Sequence, residues 1–431
     1  MHKLKNLSIT VLVLAILITG FVGGLAADKP KQIKVALVKN TSDYKTAKPL
    51  VEEWSEKTGI DVEVINENTT SYPTTYVMSG RTGNPDLDVF MFWDFYLDQF
   101  KPFLTPLDGS YDKDIDLTSS MRSDFIDRSI KGYQGHIYQL PYSLDTRLLY
   151  YRKDLLRQAG FSTPPETWRE LVTYAEKLTK DKDGDGVIDV WGFASLGEPG
   201  DVYSPYTFAD FYYQAGGESL FGEDGQPLFN NDAGVQALQF MVDLRNKYEV
   251  MPPDVVSYSN NEIHTGFLAG KFAMVNHWPY MWGMIQDSEL AGKVGYAEEP
   301  YPEGESPKTI FNRWSFGIPK NSDKKETAFD LIKFLTSKQA GIDVLSNKLD
   351  WPLRQSVYES KEIQENLSAS FKAYSDKIFQ ISADYGKLTI PPRGSETLQI
   401  LAEQMDKAML GQKSPKSALN DAAAEITKLL N

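Results

Sequence analysis

The 431-residue chain contains no cysteine. This absence excludes thiol nucleophiles, cysteine-bound metals and disulfides, so the fold has to rest on its apolar core. The four histidines (His2, His136, His264 and His277) include no pair at zinc-binding helical spacing, and no G-x-S-x-G elbow or phosphate-binding glycine loop occurs. Paired carboxylates remain available for hydrolysis, but among 59 acidic residues some pair is inevitable and carries little information.

Long apolar runs are almost absent as well. The exception, Ile9–Val22, follows Lys3 and Lys5 and precedes the small residues of Gly23–Ala27. This order is typical of a secretory signal, which predicts cleavage after one of the last two alanines and a mature chain from about residue 28. With no cysteine nearby to carry a lipid, we expect a soluble protein of the periplasm or the extracellular space.

Basic residues are too few to balance the acids, and the formal net charge is −14. Removal of residues 1–27, which contain two lysines and no acid, would change it to −16. A surface of this charge argues against nucleic acid and anionic membranes as partners. It says little about a neutral ligand.

The first part of the mature chain alternates between strand and helix patterns. We predict strands at 32–38, 60–66 and 87–92 and helices at 48–57 and 72–79. This β-α-β-α-β order predicts a mainly parallel sheet with helices on its faces. Ligands bind beyond the carboxyl ends of such strands, where the loops Asn40–Tyr44 and Trp93–Phe95 lie.

The stretch Gly135–Leu178 has the pattern of a crossing between two lobes. One extended run ends at Gln139–Pro141, a second covers Asp145–Tyr151, and a helix with Thr167 as its N-cap follows. We therefore expect the chain to cross between two lobes in this stretch, and the family resemblance described below implies that Tyr142–Arg147 would form both a hinge and the floor of a cleft.

Aromatic residues stand next to polar residues where several predicted strands end. Trp93 precedes Asp94, and Trp278 and Trp314 lie in similar places. Aromatic faces beside carboxylates and amides suit a sugar, because ring C–H groups pack on the aromatic faces and hydroxyls bond to the polar groups. The alternative is that each tryptophan fills its own core, which we expect for Trp54 and Trp168 in amphipathic helices.

The segment Asp181–Asp189 resembles the first part of a calcium loop. Asp181, Asp183, Asp185 and Asp189 occupy positions 1, 3, 5 and 9, and glycine occupies position 6. Position 12, where a bidentate acid is expected, is Gly192. The segment is therefore either a structural calcium site completed by another ligand or an acidic surface turn.

Several longer stretches resemble the extracellular solute-binding proteins of ABC transporters, in the sugar-binding group that includes maltose-binding proteins. They are IYQLPYSLDTRLLYYRKDLLRQAG with PPETWREL, FLAGKFAMVNHWPYMW, FGIPKNSDKKETAFDLIKFLTS and QMDKAMLGQKSPKSALNDAAAEITKLL. The resemblance implies an α/β fold of two lobes, each a mainly parallel sheet flanked by helices, joined by crossing segments. The lobes would be 28–146 plus 297–336 and 147–296 plus 337–431.

The resemblance also implies a function and a site. The protein would capture a sugar, expected to be an oligosaccharide, between its lobes and deliver it to a membrane permease, as a monomer without catalysis or a required cofactor. The ligand-binding residues that it implies are Asn40, Trp93, Asp94, Tyr142, Asp145, Trp278 (as a stacking ring), Trp314 and, near the rim, Arg354.

Two other kinds of function stay open from the residues alone. A secreted glycoside hydrolase would share the signal, the acidity and the aromatic cleft. A receptor for a polyamine or another small solute could use Asp94 and Asp145 with the aromatic rings. A metal-ion receptor would need clustered histidine or cysteine, which the chain has little of.

Overall fold

A computed structural model describes residues 30–69, 71–83, 86–126, 130, 132–195, 197 and 204–431. The predicted signal segment 1–27 lies outside the described residues. Among those residues, no helix combines the length and apolarity needed to cross a bilayer.

The strands and helices alternate through the first part of the chain, and helices dominate the last part. The strands are β1 (Gln32–Val38), β2 (Asp61–Glu67), β3 (Val89–Trp93), β4 (Leu140–Thr146), β5 (Leu148–Arg152), β6 (Trp191–Ala194), β7 (Phe272–His277), β8 (Val294–Ala297), β9 (Thr309–Gly317), β10 (Trp351–Pro352) and β11 (Gly386–Leu388). The helices are α1 (Ser42–Thr58), α2 (Tyr72–Thr82), α3 (Leu97–Phe100), α4 (Ser119–Arg122), α5 (Lys153–Gln158), α6 (Trp168–Leu178), α7 (Ser204–Gln214), α8 (Asp232–Asn246), α9 (Asn260–Leu268), α10 (Met281–Gln286), α11 (Lys325–Leu335), α12 (Lys338–Ser346), α13 (Gln355–Tyr358), α14 (Lys361–Asn366), α15 (Ala369–Tyr385), α16 (Ser395–Met409) and α17 (Pro415–Leu430).

In the described part of the chain these strands form two sheets. The larger has the order β10-β4-β9-β3-β1-β2, with β11 paired to β9, and the smaller has the order β6-β7-β5-β8. We call the larger sheet with its helices the first lobe and the smaller sheet with its helices the second lobe. The expected two-lobed α/β fold is confirmed.

The expectation of mainly parallel sheets was wrong. β1 pairs in parallel with β2 and β3, as the β-α-β-α-β order predicts. However, β9 runs antiparallel to both β3 and β4, and β5 runs antiparallel to β7 and β8. The sheets are mixed because the strands that carry the chain between the lobes run against their neighbours.

The chain crosses between the lobes where the sequence predicted a hinge. Thr146 ends β4 in the larger sheet and Leu148 begins β5 in the smaller one, so Arg147 alone lies between them. A second crossing joins β8 in the smaller sheet to β9 in the larger one. These two crossings lie side by side, because the Arg147 backbone N–H donates to the Thr309 hydroxyl at 3.3 Å.

The assignment of 337–431 to the second lobe needs a correction. β10 pairs with β4 of the larger sheet, and α12 packs on α1 and α11 of the first lobe. α15 packs on β4 and β9, whereas α16 and α17 pack on α8 in the second lobe. Segment 337–431 is therefore divided between the two lobes, because its first part packs on the first lobe and its last two helices pack on the second.

Helix starts and core tryptophans follow the sequence closely. The Thr167 hydroxyl accepts a hydrogen bond from the Glu170 backbone N–H at 3.2 Å, which confirms it as the N-cap of α6. Trp54 and Trp168 are buried in the core, as expected, and Trp168 stacks on Phe240 with ring centroids 4.1 Å apart. These two rings therefore stabilise the cores of the lobes.

Candidate binding cleft

A cleft of about 770 Å³ lies between the two lobes. This volume falls within the range of about 300–1,000 Å³ that is usual for ligand sites. Its lining residues are Asn40, Thr41, Ser42, Asp43, Lys45, Thr69, Trp93, Asp145, Asn260, His264, Trp278, Tyr280, Trp282, Gly283, Met284, Gln286, Asp287, Trp314, Asn347, Lys348, Leu349, Ser368, Ser370 and Phe371.

The first-lobe wall is built from the carboxyl ends of parallel strands. Asn40 follows β1 in a left-handed conformation (φ 68°), which turns the chain into α1. Trp93 is the last residue of β3, and its pairing partner across the sheet is Trp314 of β9. The rule that ligand loops follow such strand ends therefore located Asn40 and Trp93 correctly, whereas Trp314 lies within β9 and not at a strand end as predicted.

The second-lobe wall carries Trp278 immediately after β7. Its indole N–H donates to Asn260 Oδ1 at 2.9 Å, which anchors the ring to the start of α9. The Trp278 and Trp93 ring centroids lie 5.9 Å apart at 83°, and Trp93 also contacts Tyr206 of α7 at 5.0 Å. Aromatic rings from both lobes thus meet at the base of the cleft.

The polar part of the first-lobe wall is a group of three carboxylates. Asp43 and Asp145 line the cleft, and Asp350 lies behind them, where it accepts a hydrogen bond from the Thr46 hydroxyl at 2.6 Å. The Ser143 hydroxyl donates to Asp43. The two carboxyl groups that line the cleft can form hydrogen bonds with ligand hydroxyls, and in their ionised form they can bind ammonium groups beside the aromatic rings.

A comparison with family models decides what kind of protein this is. Residues 39–342, most of the chain, match the model of the bacterial extracellular solute-binding proteins. The chain belongs to this family. The family is one of binding proteins rather than enzymes, and a cleft between two lobes agrees with that role.

Individual relatives support the same placement. A probable ABC transporter-binding protein of Deinococcus radiodurans is 31% identical over 209 residues, and the match spans about half of each chain (48%). An arabinooligosaccharide-binding protein of Bacillus subtilis (strain 168) is 24% identical over 452 aligned positions, which cover 98% of this chain and 99% of the relative. The maltose-bound MalE3 structure of T. maritima has 28% sequence identity and a TM-score of 0.77, and the match covers 92% of this chain and 99% of that one.

In this solute-binding protein the cleft brings together five of the eight predicted ligand residues. These are Asn40, Trp93, Asp145, Trp278 and Trp314. Whether they contact ligand stays a prediction, which the substitutions proposed below test.

Asp94 does not line the cleft, which corrects its predicted place. It is fully buried, and its carboxylate accepts hydrogen bonds from Arg313 Nε at 2.7 Å and Asn312 Nδ2 at 3.0 Å. A buried carboxylate held by a guanidinium and an amide is a structural ion pair between the end of β3 and β9. Asp94 thus supports the wall behind Trp93.

Tyr142 and Arg354 also lie away from the cleft. The β4–β9 register shifts between Pro141 and Ser143, so Tyr142 is the extra residue of a bulge. Its hydroxyl donates to the Thr46 hydroxyl at 2.9 Å in the core. Arg354 pairs with Asp124 at 3.1 Å and packs over the Phe125 ring, so it joins segments of the first lobe.

The main residues that sequence reasoning missed are Asp43, Asp350, Tyr280 and Trp282. Asp43 lies in the predicted loop Asn40–Tyr44, and Tyr280 and Trp282 follow Trp278 within four residues, so strand-end position could have found them. Asp350 is 304 residues from its partner Thr46, and no local pattern marks that contact.

Only three of the four predicted calcium-binding carboxylates lie close together. In the described residues the carboxylates of Asp181, Asp183 and Asp189 lie within 4.8 Å of one another. Asp185 is not part of this group and accepts a hydrogen bond from the Val187 backbone N–H at 2.8 Å. The predicted role of Asp185 as a ligand is therefore corrected, and calcium binding stays a prediction for the other three residues.

We expect Ca²⁺ to raise the melting temperature of the protein and EGTA to reverse the effect, because the ion would neutralise three neighbouring carboxylates. Differential scanning fluorimetry of Asp183→Asn should show no response, while the control Asp185→Asn should respond like the wild type. Equal melting temperatures of the wild-type protein with Ca²⁺ and with EGTA would identify the loop as an acidic turn.

Burial raises the pKa of Asp145 from its ordinary value of 3.8 to about 8, with further contributions from the negative charges of Asp350 and Asp94. The indole hydrogen bond from Trp314 acts in the opposite direction. Burial followed by the charges of Asp350 and Asp145 also raises the pKa of Asp43 well above its ordinary value. Burial and the neighbouring negative charges therefore favour the protonated form of both carboxyl groups.

The folded protein keeps a proton on Asp145 that the unfolded chain releases as the pH rises above about 4. The contribution of Asp145 to the free energy of unfolding should therefore fall between about pH 4 and about pH 8. Urea unfolding across this range should give a shallower decline for Asp145→Asn than for the wild type. The exposed control Asp114→Asn should keep the wild-type slope, and identical slopes in all three proteins would contradict this assignment.

Proposed function

We propose that the protein is an extracytoplasmic receptor that captures a carbohydrate in the cleft and delivers it to the membrane permease of an ABC transporter. The observation that carries this proposal is the juxtaposition of Trp93, Trp278 and Trp314 with the carboxylates of Asp43 and Asp145 in one interlobe cleft. Rings supply stacking surfaces for sugar C–H faces, and carboxylates accept hydrogen bonds from hydroxyls. The names of the arabinooligosaccharide-binding and maltose-bound relatives support the same ligand class.

The size of the cleft favours an oligosaccharide over a single sugar. The lining runs from Asn40 and Thr69 on the first lobe to Gln286 and Asp287 on the second. A ligand that contacts both lobes binds the closed form better than the open form, and this difference in affinity drives closure. The closed, loaded monomer is then the form that the permease recognises.

We propose no catalytic step for this cleft. A screen with arabinotriose, maltotriose, maltose and mannitol would test the receptor against the glycoside hydrolase. A receptor gives a rise in melting temperature with unchanged saccharide by chromatography. Release of shorter sugars would instead establish a hydrolase.

A cationic solute is the second candidate, because the carboxyl groups of Asp43 and Asp145 line the cleft beside the aromatic rings, with Asp350 behind them. Ammonium groups bind both to carboxylates and to aromatic faces. The same screen should therefore include spermidine and putrescine. A thermal shift with these amines and none with any saccharide would replace the carbohydrate proposal.

We expect Trp93→Ala and Trp278→Ala each to weaken saccharide binding by at least tenfold, about 1.4 kcal/mol. Each substitution removes a ring that one lobe presents at the base of the cleft. Isothermal titration calorimetry with the best saccharide of the screen measures the change.

A matched control is Trp191→Ala. Trp191 begins β6 and pairs with Phe272 at the start of β7, whereas Trp278 follows the end of β7. This tryptophan is therefore one strand length from the cleft, and its removal should leave affinity within twofold. Unchanged affinity in both cleft variants would refute the site.

A further inference from the structure

Arg147 is a fully buried cation at the step between the two sheets. Its Nε lies 3.3 Å from Asp210 Oδ2. One terminal nitrogen donates to the Thr207 hydroxyl at 3.1 Å and the other to the Asn276 carbonyl at 3.2 Å. The guanidinium therefore uses its planar fork to join the first crossing to α7 and to β7 of the second lobe.

The second crossing joins the same group through Asp210. Asp210 Oδ1 accepts hydrogen bonds from the Ile310 backbone N–H at 2.8 Å and from the Thr309 hydroxyl at 3.2 Å. Asp210 therefore contacts both crossings, the first through Oδ2 and the second through Oδ1. Any change in the relative position of the crossings has to move this ion pair.

The guanidinium also contacts the cleft. Its central carbon lies 5.2 Å from the centroid of the Trp278 ring, within the range of a cation–π interaction. The Asn276 carbonyl that it holds belongs to β7, two residues before Trp278. Arg147 therefore constrains both the ring and the backbone that carries it.

We propose that Arg147 is a positioning residue for ligand binding, which sets the orientation of Trp278 relative to the two hinge crossings. This inference rests on the proposed function, in which Trp278 contacts the ligand. Arg147 itself acts through Trp278, because its polar contacts are with the protein and it does not line the cleft.

The first test needs no ligand. The indole N–H resonance of Trp278, assigned by its loss in Trp278→Phe, is followed in ¹⁵N-labelled protein. Arg147→Gln and Arg147→Lys should both move it, since lysine keeps the charge but not the planar fork. The control Arg152→Gln, which removes an arginine paired with Asp154 at the far end of β5, should leave it in place.

The second test is a double-mutant cycle measured by calorimetry with the saccharide that binds best. Arg147→Lys should weaken binding about fivefold in the wild-type background and less than twofold in the Trp278→Ala background, because the ring through which it acts is gone. Arg147→Lys is used here because it leaves Asp210 with a cationic partner.

An unmoved Trp278 resonance, or equal losses of affinity in both backgrounds, would overturn the positioning role. If the wild-type protein binds no saccharide, the proposed function fails, and the resonance alone decides whether Arg147 positions the ring. A moved resonance together with non-additive losses of affinity supports both the positioning role of Arg147 and the proposed function.

Discussion

Burial of a guanidinium between two sheets is the constraint from which much of this structure follows. Arg147 has no access to water, so its charge has to be balanced by Asp210 and by neutral acceptors on α7 and β7. Glu299 lies in the same buried group, where Gln214 donates to it at 2.9 Å. Burial first, and then the charge of Asp210, raises the pKa of Glu299 well above its ordinary value. The network therefore holds both crossings, α7 and the end of β7 together, and in the proposed function the lobes close around it.

The cleft is a consequence of how strands end around that hinge. In the first lobe the carboxyl ends of β1 and β3 deliver Asn40 and Trp93, and in the second lobe the end of β7 delivers Trp278. Each residue comes from a different strand, yet the sheet geometry places them at facing edges. The aromatic contact between Trp93 and Trp278 then connects the lobes at the base, while the wider part of the cleft stays open to solvent between Thr69 and Asp287.

The sequence predicted the local features well and the distant pairings poorly. The Thr167 cap and several strand ends depend on neighbouring residues, so composition and periodicity were enough to find them, whereas the boundary at Thr146–Arg147 came from the family resemblance. Asp94 and Arg354 were misplaced because their partners decide their role: Arg313 is 219 residues from Asp94, and Asp124 is 230 residues from Arg354. Tyr142 was misplaced by a bulge that the alternation of β4 does not reveal. Likewise, β10 joins the larger sheet through a two-residue pairing too short to leave a pattern.

In the proposed function, a saccharide spans both lobes and closes them. Because the chain has no cysteine, a pair of spin labels can be introduced without background, at Asn68 beside Thr69 on the first lobe and at Glu289 beside Asp287 on the second. We expect electron–electron distance measurements to show a shorter and narrower interlobe distance when the best saccharide of the screen is added, and Trp278→Ala largely to remove this change. A distance distribution unchanged by saturating saccharide would contradict this expectation.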